Sequence, residues 1–164
     1  MNTVSIERLN SFFSYNPESG KLSWAVNRGK IKIGAEIKCK NHAGYLVVRV
    51  DNVLLRAHRI IWAMNTGSWP EYEIDHINGN RSDNRLINLR QATRGQNMKN
   101  TIKPITNKSG LKGVSWHAKG NFWQAHIKSD GVNYYLGHYY TKEEAHEAYK
   151  SASDRLHSFF GNHG

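Results

Sequence analysis

Asp75-His76-Ile77-Asn78-Gly79-Asn80-Arg81-Ser82-Asp83-Asn84-Arg85-Leu86-Ile87-Asn88-Leu89-Arg90-Gln91-Ala92-Thr93-Arg94-Gly95-Gln96-Asn97 is the stretch whose reading decides the fold. Glu73 to Ile77 reads as a strand, and Asn78-Gly79-Asn80 starts the loop out of it. Leu86 to Ala92 returns as a second strand. Thr93-Arg94-Gly95-Gln96 matches the Thr-x-x-Gln capping box, so a helix starts there with Asn97 in its first turns. Gly95 weakens that helix by about 1 kcal/mol, so it needs outside support. The implied order is strand, loop, strand, helix.

The same stretch has the most chemical content in the chain. Asp75 and Asn97 offer hard oxygen ligands, and His76 offers a base that titrates near neutral pH. Two protein oxygens leave most of an octahedron to phosphate and water, which suits Mg2+, with Mn2+ as another divalent choice, better than a zinc cage. Phosphodiester hydrolysis needs such a base and such a cation. Asn88, at the start of the second strand, is placed to bridge its amide to backbone across the loop and fix the His76 ring. Arg81, Arg85, Arg90 and Arg94 surround the site in sequence and are candidates to grip flanking phosphates.

Upstream, Ser5 to Phe13 has helical spacing of Ile6, Leu9, Phe12 and Phe13. Lys21 to Trp24, Ala35 to Lys38 and Tyr45 to Val50 are short β-type runs between Gly-containing bends, which predicts one small antiparallel sheet. Arg28, Lys30, Lys32, Lys38 and Lys40 lie on its loops and edges, either as a solvated basic face or in contact with phosphate. Ala57 to Met64 reads as a helix closed by Asn65-Thr66-Gly67. His58 and Arg59 on it are either phosphate contacts or buried hydrogen-bonding partners.

Downstream, Thr101 to Gly110 is polar, basic and rich in breakers, and reads as a linker. Gly113 to His117, Phe122 to Ser129 and Asn133 to Tyr140 are strand candidates, the last two joined by an Asp130-Gly131 hairpin signal. Thr141-Lys142-Glu143-Glu144 opens a helix with Ala145, Ala148, Tyr149, Ala152, Leu156 and Phe159 on one stripe. Alternation puts Trp123, Ala125 and Ile127 on one sheet face and Gln124, His126 and Lys128 on the other, with Asn133 and Tyr135 opposite Tyr134 and Leu136. The polar set is an ordinary solvated face or one that enters a DNA groove.

Of the 164 residues, 38% are hydrophobic, enough for a globular core. The formal net charge is +10, which favours a polyanionic partner through phosphate neutralisation. Residues 1–57, 58–104 and 105–164 carry +5, +3 and +2, so the excess is not one basic tail. Cys39 is the only cysteine, which excludes an internal disulfide and every multi-cysteine zinc site and gives no reason to expect a disulfide-linked partner. The N-terminus lacks a signal-peptide pattern and no apolar run is long enough to span a bilayer, so a soluble intracellular protein with no membrane partner is expected.

His58-Arg59, Trp69-Pro70, Asp75 to Asn80, Asp83-Asn84-Arg85, Asn88-Leu89-Arg90, Ala92-Thr93 and Gln96-Asn97 resemble the HNH endonucleases, in the phage and bacterial branch that includes homing endonucleases. The resemblance implies a ββα-metal module in which His76 is the general base, Asp75 and Asn97 hold the metal, and Asn88 positions the active-site loop. Asn97 stands where the name-giving pattern has its last His, a form found in the homing branch. Leu9 to Trp24 looks like the leader region of such proteins. Gly113-Val114, Trp123, Ala125, Ile127, Leu136-Gly137, Glu143-Glu144-Ala145 and Ala148-Tyr149 resemble the apetala/ethylene-response-factor DNA-binding domain, which implies base or phosphate contacts by His126, Lys128, Asn133 and Tyr135.

The expected fold class is therefore α+β. It comprises a β-rich, DNA-contacting region over 1–56, an HNH ββα-metal module over 57–101, a basic linker over 102–112, and a three-stranded antiparallel sheet packed on one helix over 113–164. The expected function is a site-specific homing-type endonuclease acting on double-stranded DNA, nicking one strand per monomer and leaving 3′-hydroxyl and 5′-phosphate ends. The rival readings are a non-homing HNH nuclease in defence, repair or packaging, and a catalytically idle DNA-binding regulator.

Overall fold

The computed structural model describes residues 4–101 and 106–164. Residues 102–105 of the expected linker lie outside that set, as does the side chain of Phe159. The fold is mixed α and β, and its contacts divide it into two units, residues 1–92 and 93–164.

In the first unit, α1 (Ile6–Phe12) is capped by the Ser5 hydroxyl, which accepts from the Arg8 N–H. It runs directly into the hairpin β1 (Phe13–Asn16) and β2 (Lys21–Trp24). A second hairpin pairs β3 (Val47–Val50) with β4 (Val53–Arg56). Asp51 and Asn52 both have positive φ, the geometry of a tight two-residue hairpin turn. The single sheet expected here is thus two separate ribbons, and Ala35 to Lys38 contributes only the isolated bridge of Glu36 to Ser23. Helix α2 (Ala57–Thr66) ends at Gly67, whose left-handed φ of 73° lets its N–H reach back to the Ala63 carbonyl.

Strands β5 (Glu73–His76) and β6 (Leu89–Ala92) pair antiparallel, with Asp75 opposite Arg90 and His76 opposite Leu89. The expected second strand begins later than Leu86, because Leu86–Asn88 winds into a 3-10 turn. One apolar core joins Val4, Leu9, Phe13, Leu22, Trp24, Val50, Ile60, Ile61, Ile74 and Leu89. The N-terminal hairpins and strands β5 and β6 share this single core, and the division between the two units falls after Ala92.

The second unit opens with α3 (Arg94–Lys99), whose reciprocal capping box is formed by Thr93 and Gln96. The chain order strand, loop, strand, helix is as expected. Strands β7 (Val114–His117), β8 (Phe122–Ser129) and β9 (Val132–Tyr139) form one antiparallel sheet in sequence order. Helix α4 (Lys142–His157) starts from the Thr141–Glu144 capping box and packs Ala145, Tyr149 and Ala152 toward that sheet. Leu156 is exposed instead of lying on the buried stripe. The buried stripe runs through Ala145, Tyr149, Ala152, Ser153 and His157.

The expected linker is folded over its described part. Ser109 Oγ donates to the Val114 carbonyl (2.7 Å) and Asn107 Nδ2 to the Leu111 carbonyl (2.9 Å). Leu111 also packs on the sheet core.

Candidate active site

His76 ends β5, and its ring is 3% exposed. Its Nε2 lies 2.9 Å from Oδ1 of Asn84, which is itself 1% exposed. Burial pushes the His76 pKa below that of a free imidazole; the bond to Asn84 and the charges of Asp75 and Asp83 oppose that shift, and the Arg81 charge adds to it. The ring is therefore held neutral and able to take a proton. The sequence marks Asn84 only as part of the Asp83-Asn84-Arg85 motif and gives it no role, because an Asn in a polar loop does not show which ring it meets. Only its burial against the histidine identifies it.

Asn88 bridges its amide to backbone across the loop, as expected from its place before the second strand. Its Nδ2 donates to the Asp83 carbonyl (2.8 Å) and to Asn78 Oδ1 (3.0 Å), and its Oδ1 accepts from the Asn78 N–H (3.0 Å). These bonds tie the two ends of the loop across one buried amide. Asp83 adds a bond from Asn78 Nδ2 (2.8 Å) and an ion pair with Arg85 (2.7 Å). The Arg85 guanidinium holds the Asp83 carboxyl at about 2.

Asp75 is 5% exposed and its Oδ2 receives both Nη2 (2.8 Å) and Nε (2.9 Å) of Arg90. A buried carboxylate needs such a partner to remain charged. Arg90 is thus engaged inside the site and not spread on the surface. Arg59 likewise reaches the Tyr72 carbonyl (3.0 Å) and the Pro70 carbonyl (3.1 Å), which favours the internal hydrogen-bonding role over phosphate contact. Arg81 is exposed; it donates to the Ala43 carbonyl (2.7 Å) and lies over the Tyr45 ring. Arg56, not singled out in the sequence, covers the same ring, with both guanidinium carbons 5.0 Å from its centroid. Tyr45 in turn packs near His58 and His76 at 5.1 and 5.9 Å. Two cationic groups are thereby fixed over the Tyr45 ring, which itself packs near His76.

Among the described residues, no three His, Cys, Asp or Glu side chains cluster as a metal cage. Asp75 is a buried carboxylate of the first unit, and Asn97 is a half-buried amide in α3 of the second; each carries a hard oxygen. Arg94 is exposed at the first position of that helix.

In the second unit the four expected sheet residues, His126, Lys128, Asn133 and Tyr135, are all exposed. Lys128 pairs with Asn133 and His126 with Tyr135, whose ring centroids are 5.2 Å apart. A bulge next to Ala125 and His126 shifts the register, so that Gln124 pairs with His138. The same face continues through Phe122, which is stacked on His117 at 4.7 Å and tilted against His138 at 5.1 Å. His138 was missed because strict alternation from Asn133 places Tyr139 there, and alternation does not reveal a bulge.

Residues 55–99 match the HNH endonuclease family model. Among curated proteins, Protein 3.8 of Escherichia phage T7 is 39% identical over 77 residues, which is 46% of this chain. The chain spans 64% of that relative's length, less than two thirds. Among solved structures, the one titled "DNA binding and cleavage by the HNH homing endonuclease I-HmuI" is similar with a TM-score of 0.42 and 19% identity, over 90% of this chain and 82% of the other.

Proposed function

We propose that this chain is a site-specific, homing-type DNA endonuclease that hydrolyses a phosphodiester with His76 as general base. The observation that carries the reading is the buried His76, held through Nε2 at the end of β5 beside Asp75 and within the segment that matches the HNH model. A neutral imidazole takes the proton of the attacking water as its oxygen bonds to phosphorus, and the 3′ oxygen leaves on the opposite side. The products are a 3′-hydroxyl and a 5′-phosphate. Asp75 and Asn97 are the residues that would hold a divalent cation, Mg2+ first and Mn2+ also, which supplies charge relief at the phosphate and leaving oxygen. Asn88 keeps the loop closed behind His76. Arg81 and Arg56, stacked on Tyr45, face the phosphates that flank the cut, and Arg85 and Arg94 extend that grip.

The second unit binds the duplex through the exposed sheet face of His126, Lys128, Asn133 and Tyr135, in the manner of the apetala-type domains. With one site per chain, a monomer nicks one strand. The test is incubation of the source genome's DNA with Mg2+ or with EDTA, followed by mapping of ends, with His76→Ala as control. Discrete metal-dependent nicks absent from the variant support the reading. Scattered cuts would indicate a non-homing nuclease, and binding without cleavage would indicate an idle regulator.

A further inference from the structure

We infer that Asn84 is the positioning residue that sets the tautomer and ring plane of His76, and that the N-terminal hairpin holds Asn84 in place for that task. The inference rests on the reading of His76 as the base. An amide oxygen only accepts, so a bond between Asn84 Oδ1 and His76 Nε2 at 2.9 Å puts the ring proton on Nε2. The basic lone pair of the neutral ring is then on Nδ1.

Asn84 is fixed on both sides. The Tyr15 hydroxyl donates to the Asn84 carbonyl (3.3 Å) and accepts from the Leu86 N–H (2.9 Å). Asn88 holds the preceding Asp83 carbonyl. Gly20, at the turn between β1 and β2, has φ of +70°, and a Cβ there would stand 2.5 Å from the Arg85 nitrogen and 2.9 Å from the Asn84 carbonyl carbon. The hairpin backbone therefore lies against the Asn84–Arg85 peptide with no room for a side chain. A segment whose sequence points only to DNA contact or a leader is thus part of the catalytic loop's support.

The experiment uses the full chain with 15N-labelled histidine. Long-range proton–nitrogen spectra above pH 7 report each ring's tautomer, and His76→Ala identifies the His76 signals by their loss. The wild type should show the Nε2–H tautomer at His76. Asn84→Ala should lose that preference and slow single-turnover nicking on the order of 10- to 100-fold with unchanged DNA affinity. Asn84→Asp, which keeps an acceptor, should retain the tautomer. Tyr15→Phe, which removes only a hydroxyl, should shift the tautomer ratio in the same direction and covers the case in which Asn84→Ala does not fold. A wild-type Nδ1–H ring, or an unchanged ratio and rate in Asn84→Ala or in Tyr15→Phe, would overturn the inference. If His76→Ala nicks like the wild type, the catalytic reading fails separately, because the tautomer is read without activity.

Discussion

His58 and His76 stand ring against ring, with centroids 5.0 Å apart, and both are buried. Two imidazolium charges there would repel, so the pair is built to be neutral. Burial, and then the neighbouring His76, Arg56 and Arg59, push the His58 pKa down to about 3. The unfolded chain takes up that proton near pH 6.5, so its contribution to stability is whole above 6.5 and is lost as pH falls toward 3. Urea unfolding should therefore show a loss of about 2 to 3 kcal/mol from this group between pH 6.5 and 4.5, and His58→Gln should flatten that slope. His76 is shifted the same way, so single-turnover nicking should be flat from neutral pH upward and fall only below the usual imidazole range. An acid limb with its midpoint above pH 6.5 would contradict that assignment. At this scale the Asn88 amide bridge across the loop was legible from residue type and place. Asn84 and Arg56 were not, because burial and stacking on a distant ring are tertiary facts.

Elements were legible where local chemistry set them. Both capping boxes formed, and the Asp130-Gly131 turn has both residues at positive φ. Strand β4 escaped sequence reading because its four residues run straight into α2 with no breaker between them. The bulge in β9 reassigned His138 for a similar reason, since one extra residue leaves no signature in alternation. Two predictions belong here. Thr93→Ala removes one half of the box that starts the six-residue α3 and should weaken that helix by about 1 kcal/mol, read as faster amide exchange over 96–99. Gly20→Ala should destabilise the first unit by more than about 2 kcal/mol, because a left-handed φ and a backbone overlap act together. Thermal unfolding checks it, and a neutral result would show that the hairpin is not seated against the catalytic loop.

Over the whole molecule, the fold class was legible from the order of its main elements. The core that joins Val4 to Leu89 draws on residues far apart in sequence, and no composition shift marks its end at Ala92. Among the described residues, no helix is long and apolar enough to cross a membrane. The net charge of +10 is spread over both units, so DNA affinity should fall steeply with salt. Lys128→Ala should lower the slope of log affinity against log salt by about 1 and leave the nicking rate of saturated complex unchanged. The most direct measurement compares nicking of a duplex that carries a mapped cut site by wild type and by His76→Ala, at DNA concentrations that saturate both, with Mg2+ present and then removed. The expected result is one nick with a 5′-phosphate from the wild type, lost without Mg2+ and slowed at least about 100-fold in the variant. Equal nicking by the two proteins would contradict the assignment of His76 as the base.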